Sequence, residues 1–401
     1  MSLNETVSAE RLHIGFFGLR NAGKSSLVNA VTGQELAVVS PVKGTTTDPV
    51  KKAMELLPLG PVVIIDTPGL DDTGELGTLR VEKARQVLAQ ADIAVLVIDA
   101  AAGQTEADGE LLEELQARSL PHLVVYHKAD LLTARSLLPE HSLYASSLTG
   151  EGIDALKEAL GALAKAQKHR KQLVGDLLSP GDVVVLVVPI DSAAPKGRLI
   201  LPQQQTIRDI LDSGCTAITC RDTELPQTLA CLKTPPKLVI TDSQVFGKVA
   251  NLLPEDQLLT SFSILFARYK GELSALVQGA AQLKRLQDGD RVLISEGCTH
   301  HRQCGDIGTE KLPAWIRQYS GAEPQFAFTS GGTFPEDLRS YSLIVHCGGC
   351  MLNEKEMRHR LRIAEAGGVP MVNYGVAIAQ IQGILPRSLQ AFSDDLVPLL
   401  L

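Results

Sequence analysis

Long apolar runs are missing: a stretch such as Val183–Val188 is strand-sized, far short of the ~20 residues that cross a bilayer. No membrane-spanning segment is therefore expected. Aromatic residues are scarce, 4% with a single Trp, so base-stacking platforms for single-stranded nucleic acid are not expected. An excess of basic charge is also lacking. The net charge of −8 argues against a general nucleic-acid binder. The stretch from Met1 to Arg11 is polar and acidic-leaning and does not read as an export signal. Seven Cys, an odd count without such a signal, point to a reducing cytoplasm, with thiols kept for metal or packing. What remains is ordinary soluble-protein material. The chain has 401 residues, 44% hydrophobic and 21% charged, enough for two or three domains.

The N-terminal third carries phosphate chemistry. Leu12 to Phe17 reads as a buried strand, and Gly18-Leu19-Arg20-Asn21-Ala22-Gly23-Lys24-Ser25 follows it, opening an apolar helix. This GxxxxGK[ST] pattern wraps backbone N–H groups around phosphates, with Ala22, Gly23 and Ser26 among the contact positions. Lys24 would reach the β/γ oxygens and Ser25 would give its hydroxyl to Mg2+. Gly44-Thr45-Thr46-Thr47-Asp48 offers Thr46 as a second hydroxyl for Mg2+. The strand Val62–Ile65 ends in Asp66-Thr67-Pro68-Gly69, where Asp66 would hold Mg2+ through water and Gly69 would sense the γ-phosphate. Further strands are expected at Ala94–Asp99 and Leu123–Tyr126. The second leads into His127-Lys128-Ala129-Asp130, and Ser146-Ser147 lies where a loop would touch the base.

These residues resemble the translation-factor-related GTPases, and in particular their potassium-activated branch. Asn21, two residues before Gly23, stands where that branch places a K+ ligand, and the Gly-Thr-Thr-x-Asp switch is the other shared feature. A Leu at position 70 occupies the place of a water-orienting Gln, so slow hydrolysis is expected. Asp130 keeps guanine favoured. His127 replaces the usual Asn and, lacking a two-sided amide, is expected to weaken affinity more than specificity. An Asx turn that merely tightens the loop is the competing account of Asn21.

Lys165 to Lys171 reads as a solvated basic linker. A βαβ region follows, with strands at Val183–Ile190, Gly214–Cys220 and Lys237–Thr241 and a helix over Gln203–Leu211. Its Cys215, Cys220 and Cys231 lack a partner His and read as packing thiols. With no catalytic constellation, this region is expected to serve self-association. The periodicity predicts one long amphipathic helix over Phe262–Leu286. Strands at Arg291–Ser295, Gln325–Thr329, Ser342–Val345 and Pro370–Asn373 alternate with helices after it.

Two of these strands end in unusual chemistry. One opens onto Cys298-Thr299-His300, the other onto His346-Cys347-Gly348-Gly349-Cys350, with 45 residues (301 to 345) between. In a parallel sheet both ends lie on one edge. Three thiolates with an open or His-filled fourth position suit a 4Fe–4S cluster with one exchangeable iron, the two Gly letting N–H groups point at sulfur. Cys304 is a fourth thiol at looser spacing. A Cys3His zinc site is the rival, in which case the chain would be a GTPase with a structural zinc module acting in ribosome or tRNA-related work.

An N-terminal GTPase joined to Cys-x-His and His-Cys-x-x-Cys resembles the FeFe-hydrogenase maturation GTPases, the HydF family, along the whole chain. The fold expected is α/β: a P-loop GTPase domain over 1–170, then smaller α/β domains with mainly parallel sheets, a dimerisation domain over 171–275 and an iron–sulfur cluster domain over 276–401. The resemblance implies a scaffold and carrier for the diiron subcluster, working as a homodimer with two radical-SAM maturases and apo-hydrogenase. By position it implies Cys298, Cys347 and Cys350 as cluster ligands, with His300 or His346 the labile fourth.

Overall fold

The computed structural model describes residues 11–34, 49–69, 75–166, 171–190, 199–297, 306–331, 334–335 and 337–400, apart from the side chains of 75–82 and 394. The chain divides into two units, residues 1–170 and 171–401.

The first unit runs β1 (Leu12–Phe17), α1 (Lys24–Thr32), β2 (Val50–Leu56), β3 (Gly60–Asp66), α2 (Glu75–Gln90), β4 (Ile93–Asp99), α3 (Glu106–Ala117), β5 (His122–His127), β6 (Ser142–Ala145) and α4 (Ile153–Ala166). Strand order is β2-β3-β1-β4-β5-β6, parallel except for the antiparallel β2–β3 pair. Strands covered on both faces need apolar residues at every position, and β4 is buried from Ile93 to Ile98. Alternate residues feed opposite layers. Phe16, Ile64 and Val95 pack with Leu27 and Leu156 on one face, whereas Phe17, Ile65 and Leu96 pack with Leu111 and Leu115 on the other. β2 and β6 go beyond the strands expected from sequence. β2 carries exposed Lys51 and Lys52, which suit a sheet edge but interrupt the apolar pattern.

The second unit runs β7 (Val183–Val187), α5 (Leu201–Asp212), β8 (Thr216–Cys220), α6 (Leu225–Ala230), β9 (Leu238–Thr241), α7 (Phe246–Leu252), β10 (Leu259–Ser261), α8 (Phe262–Lys270) and α9 (Leu273–Gln282). It continues with β11 (Arg291–Glu296), α10 (Leu312–Ser320), β12 (Gln325–Ser330), β13 (Leu343–His346), α11 (Glu354–Ala366), β14 (Met371–Asn373), α12 (Tyr374–Ile381) and α13 (Leu385–Leu389). Two parallel four-stranded sheets result, ordered β10-β9-β7-β8 and β12-β11-β13-β14. One apolar core joins them: Val185 and Val187 belong to the same cluster as Leu276, Val277, Leu293 and Val345. α9 comes so close to β14 that a Cβ on Gly279 would lie 2.0 Å from the Met371 carbonyl oxygen.

One expectation is corrected. The single helix predicted over 262–286 is two helices, α8 and α9. Gly271 adopts φ −118°, ψ −148° and Glu272 an extended conformation, which breaks the helical ladder although the apolar periodicity runs through it.

Candidate functional site

In the first unit, the carboxyl ends of β1, β3, β4, β5 and β6 lie on one sheet edge, as ligand-binding loops of open α/β sheets do. The loop after β1 ends at Gly23, in a left-handed conformation at φ 93°, directly before α1. Asn21 is exposed at φ 60°. Lys24, buried, donates to the carbonyls of Gly18 (2.9 Å) and Leu19 (2.8 Å). It therefore folds over the phosphate loop. The Ser25 hydroxyl donates to Asp66 Oδ2 at 2.6 Å, so two expected Mg2+ groups already touch. Asp66 is 1% exposed, and burial pushes its carboxyl up against the opposing pull of Ser25 and Lys24. Its Oδ1 is buried without a hydrogen-bond partner. An orphaned carboxylate oxygen beside a serine hydroxyl is a donor set that fits Mg2+. Gly69 is buried at the end of the following segment and Ser26 sits half-buried in the first turn of α1. Thr46 and position 70 lie outside the described residues.

The base-side loops are tied by His127, 2% exposed. Its Nδ1 lies 3.0 Å from the Ala22 carbonyl and its Nε2 3.0 Å from Ser147 Oγ. The Ser147 N–H also faces Nε2, at 3.3 Å. A carbonyl can only accept, so Nδ1 carries the proton and Nε2 accepts from Ser147. Burial holds the ring below its usual pKa. The imidazole is thus two-sided after all, donor toward the phosphate loop and acceptor toward the 146–147 loop. Gly23 is what makes room for it: a Cβ there would lie 2.2 Å from His127 Nδ1. Lys128, at φ 61°, pairs with Asp99 Oδ2 at 2.6 Å. The Ser146 hydroxyl donates to the exposed Asp130 carboxylate.

In the second unit β11 and β13 are adjacent and parallel, with Ser295 opposite His346. The Cys347 N–H continues that ladder to the Ser295 carbonyl at 2.9 Å. Cys347 Sγ accepts from the Gly297 N–H at 3.0 Å and the Gly349 N–H at 3.4 Å. Burial pushes this thiol up, and the two N–H groups pull it back toward the thiolate. Cys350 is half-buried in the same loop. Cys298, His300 and Cys304 lie outside the described residues. Among the described residues no group of three or more His, Cys, Asp and Glu is arranged to hold a metal ion.

His346 is fully buried. Its Nδ1–H donates to the Cys347 carbonyl at 2.7 Å, and its Nε2 accepts from Arg360 Nη1 at 3.1 Å. Burial, with the Arg360 charge, lowers its pKa to about 4. The ring as placed is neutral and has no lone pair left for a metal. Arg360, also fully buried, further donates to Glu356 Oε1 at 3.0 Å and the Gly331 carbonyl at 3.1 Å. The sequence pattern missed Arg360, because a Glu-x-x-x-Arg spacing ordinarily marks an exposed helix face. It also missed Lys270, whose Nζ donates to the carbonyls of Gly349 (2.9 Å), Cys350 (3.1 Å) and Leu352 (2.8 Å). Of the three thiols read as packing, Cys215 and Cys220 are buried, but Cys231 is exposed.

A phosphate loop, a buried Asp after β3 and a base loop on one parallel sheet define a P-loop GTPase domain, here extended by two further parallel α/β sheets. A family model described as 50S ribosome-binding GTPase matches residues 13–128. The hydrogen maturase F dimerization domain matches residues 173–271 and the hydrogen maturase F tetramerization domain residues 274–391, together more than half of the chain. The chain belongs to the hydrogen maturase F family of hydrogenase maturation GTPases. Its two C-terminal segments match domains named for oligomerisation, and the last, expected as a cluster domain, matches the one named for tetramers.

Curated relatives match the GTPase part. The tRNA modification GTPase MnmE of Nitrosomonas europaea is 33% identical over 41% of this chain and 40% of its own length. That of Synechococcus sp. (strain JA-3-3Ab) is 39% identical over 40% of this chain and 35% of its own. The chain thus spans about two-fifths of the relatives it matches. Among solved structures, a variant of Aquifex aeolicus Era bound to GDP.AlF4- is 20% identical with TM-score 0.36, covering 60% of this chain and 97% of that one. The Methanococcus maripaludis elongation factor SelB is 20% identical with TM-score 0.32, covering 40% and 35%. No helix among the described residues is long and apolar enough to cross a membrane.

Proposed function

We propose that this protein is a slow GTP hydrolase that serves as scaffold and carrier in FeFe-hydrogenase maturation. It would hold a 4Fe–4S cluster on Cys298, Cys347 and Cys350 and load a diiron subcluster precursor into apo-hydrogenase. The observation that carries the cluster reading is the Cys347 sulfur, which receives two backbone N–H groups in the Cys-Gly-Gly-Cys loop. Such donors stabilise a thiolate, and Gly297 immediately precedes the third thiol, Cys298. Both nitrogens of His346 are committed, which supports His300 or an exchangeable ligand of the cargo over His346 for the fourth corner. A weak fourth bond suits a carrier, which must also release.

In the nucleotide site Lys24 and the amides of Asn21 to Ser26 would orient the phosphates, while Ser25, Thr46 and Asp66 would hold Mg2+ and Gly69 would sense the γ-phosphate. Mg2+, with K+ at Asn21, would supply positive charge against that developing between the β- and γ-phosphates. Ordering of the switches by GTP would bias docking of the radical-SAM maturases and of the hydrogenase. Self-association is the partner role of the two C-terminal domains, and the cytoplasm the compartment.

Iron and sulfide analysis of anaerobically purified protein, with Cys298, Cys347 and Cys350 each changed to Ala, tests this. Loss of iron and of the reduced-cluster electron paramagnetic resonance signal in each variant is expected. One zinc per chain and no iron would overturn it in favour of a GTPase with a structural zinc module, acting in ribosome or tRNA-related work.

A further inference from the structure

We propose that Lys270 is the positioning residue of the Cys347–Cys350 loop, a clamp by which the last residue of α8 holds the thiol loop in ligand-binding shape. The inference rests on the cluster reading for its purpose, but its geometry stands alone. Lys270 is 3% exposed, and its ammonium donates to three loop carbonyls, those of Gly349, Cys350 and Leu352. The Phe266 ring, one turn earlier on α8, lies 5.6 Å from the ammonium. α8 starts directly after β10 under a Ser261 cap, so its end is set by the sheet β10-β9-β7-β8. The loop it grips follows β13, in the other sheet. The clamp therefore spans the dimerization segment (173–271) and the tetramerization segment (274–391).

Because a trans peptide points its C=O and N–H in opposite directions, each carbonyl drawn to Lys270 turns the next N–H away from it. Those are the N–H groups of Cys350, Met351 and Asn353. Gly349 permits the turn, at φ 60°, and a Cβ there would meet Met357 Sδ at 2.6 Å. The peptide dipoles of the loop thus end negatively on the ammonium and positively on the side away from it. A loop biased in this way favours an anionic ligand set such as thiolates. Lys270 shapes the thiol loop through this backbone, and its charge adds a field across the same loop.

Hydrogen exchange of the full-length protein, with Lys270→Met and Lys270→Gln, tests the clamp without any metal. In metal-free protein the amides of 348–353 should exchange about tenfold faster or more in Lys270→Met, the loss of one net hydrogen bond to a charged group. Lys270→Gln, which keeps two donors without the charge, should be intermediate. Amides of β7 and β11, in the core of the second unit, report that its fold is intact. After anaerobic reconstitution with iron and sulfide, the Met variant should also show a lower midpoint potential, because a nearby positive charge favours the reduced cluster. Unchanged loop exchange in a folded variant of either kind overturns the proposal. Faster loop exchange in the variants, together with a parent protein that takes up no iron, would leave the clamp standing and remove the cluster reading instead.

Discussion

Position 127 is where the chain departs from other GTPases, and its geometry makes two opposite substitutions informative. His127 spans two loops that line the nucleotide, one bond to the Ala22 carbonyl and one from Ser147. Each is a net contribution of about 1 kcal/mol, so His127→Ala removes about 2 kcal/mol of loop ordering that the nucleotide must then supply. GTP affinity should fall by up to about 30-fold. His127→Asn behaves differently. Asparagine can donate one amide hydrogen to Ala22, accept from Ser147, and still offer its second hydrogen to guanine N7, which the imidazole cannot. That gain is one hydrogen bond, about 1 kcal/mol or roughly fivefold tighter GTP binding. Burial depresses the His127 pKa, so the neutral ring is the folded form. Its contribution is whole above the unfolded value near 6.5 and is lost as pH falls toward the depressed one. Protonation also places a hydrogen on Nε2 facing the Ser147 N–H. Titration with a fluorescent GTP analogue from pH 8 to 5.5 should therefore show parent affinity dropping at the acid end and His127→Asn affinity holding. If His127→Ala binds within twofold of the parent at every pH, the bridge has no role in binding.

Asp66→Asn should abolish the Mg2+ dependence of nucleotide binding and lower hydrolysis by about 100-fold, read by phosphate release at varied Mg2+. Hydrolysis should rise when K+ replaces Na+, and Asn21→Ala should remove that difference while retaining Mg2+-dependent binding. Arg360→Met strands the buried Glu356 carboxylate and should cost about 3–5 kcal/mol, a melting point about 10 °C lower. Adding Glu356→Leu should restore most of it. Gly279→Val forces a side chain onto the Met371 carbonyl and should destabilise by about 2 kcal/mol or more, seen as a lower urea midpoint for the second unit.

Motifs were legible where backbone conformation and chemistry coincide in a short window. The phosphate loop, the strand before Asp66 and the Cys-Gly-Gly-Cys turn carry their own glycines and strands, and the parallel edge that brings β11 beside β13 follows from apolar strands alternating with helices. Features set by distant chain were not legible. Lys270 ends α8 as any basic residue ends a helix, and only the fold puts it 2.9 Å from the Gly349 carbonyl, 79 positions away. Glu356 and Arg360 look like an exposed pair but are 6% and 0% exposed. The break at Gly271 was hidden because apolar spacing continues across it. β2 escaped because its lysines suit an edge that only the sheet order reveals.

The two sheet edges meet opposite electrostatic demands with the same backbone device. At the first edge the ligand expected of a P-loop is a polyphosphate, met by the first turn of α1 behind Gly23, while Lys24 rests on two carbonyls of the loop. That lysine is held at 2.9 Å by Gly18 and 2.8 Å by Leu19, acceptors of its own loop. At the second edge the acceptor belongs to the protein, since Cys347 Sγ receives two amide N–H groups. There the lysine, Lys270, stands on the carbonyl side of the loop. Lys24 donates to carbonyls of its own loop, whereas Lys270 is buried under three carbonyls from a loop 79 to 82 positions away. The Arg360–His346 pair follows the second logic, because fixing the tautomer of His346 fixes the carbonyl of Cys347. Within each unit the lysine thus sits where backbone carbonyls converge, those of its own loop at the phosphate site and those of a distant loop at the Cys347–Cys350 turn.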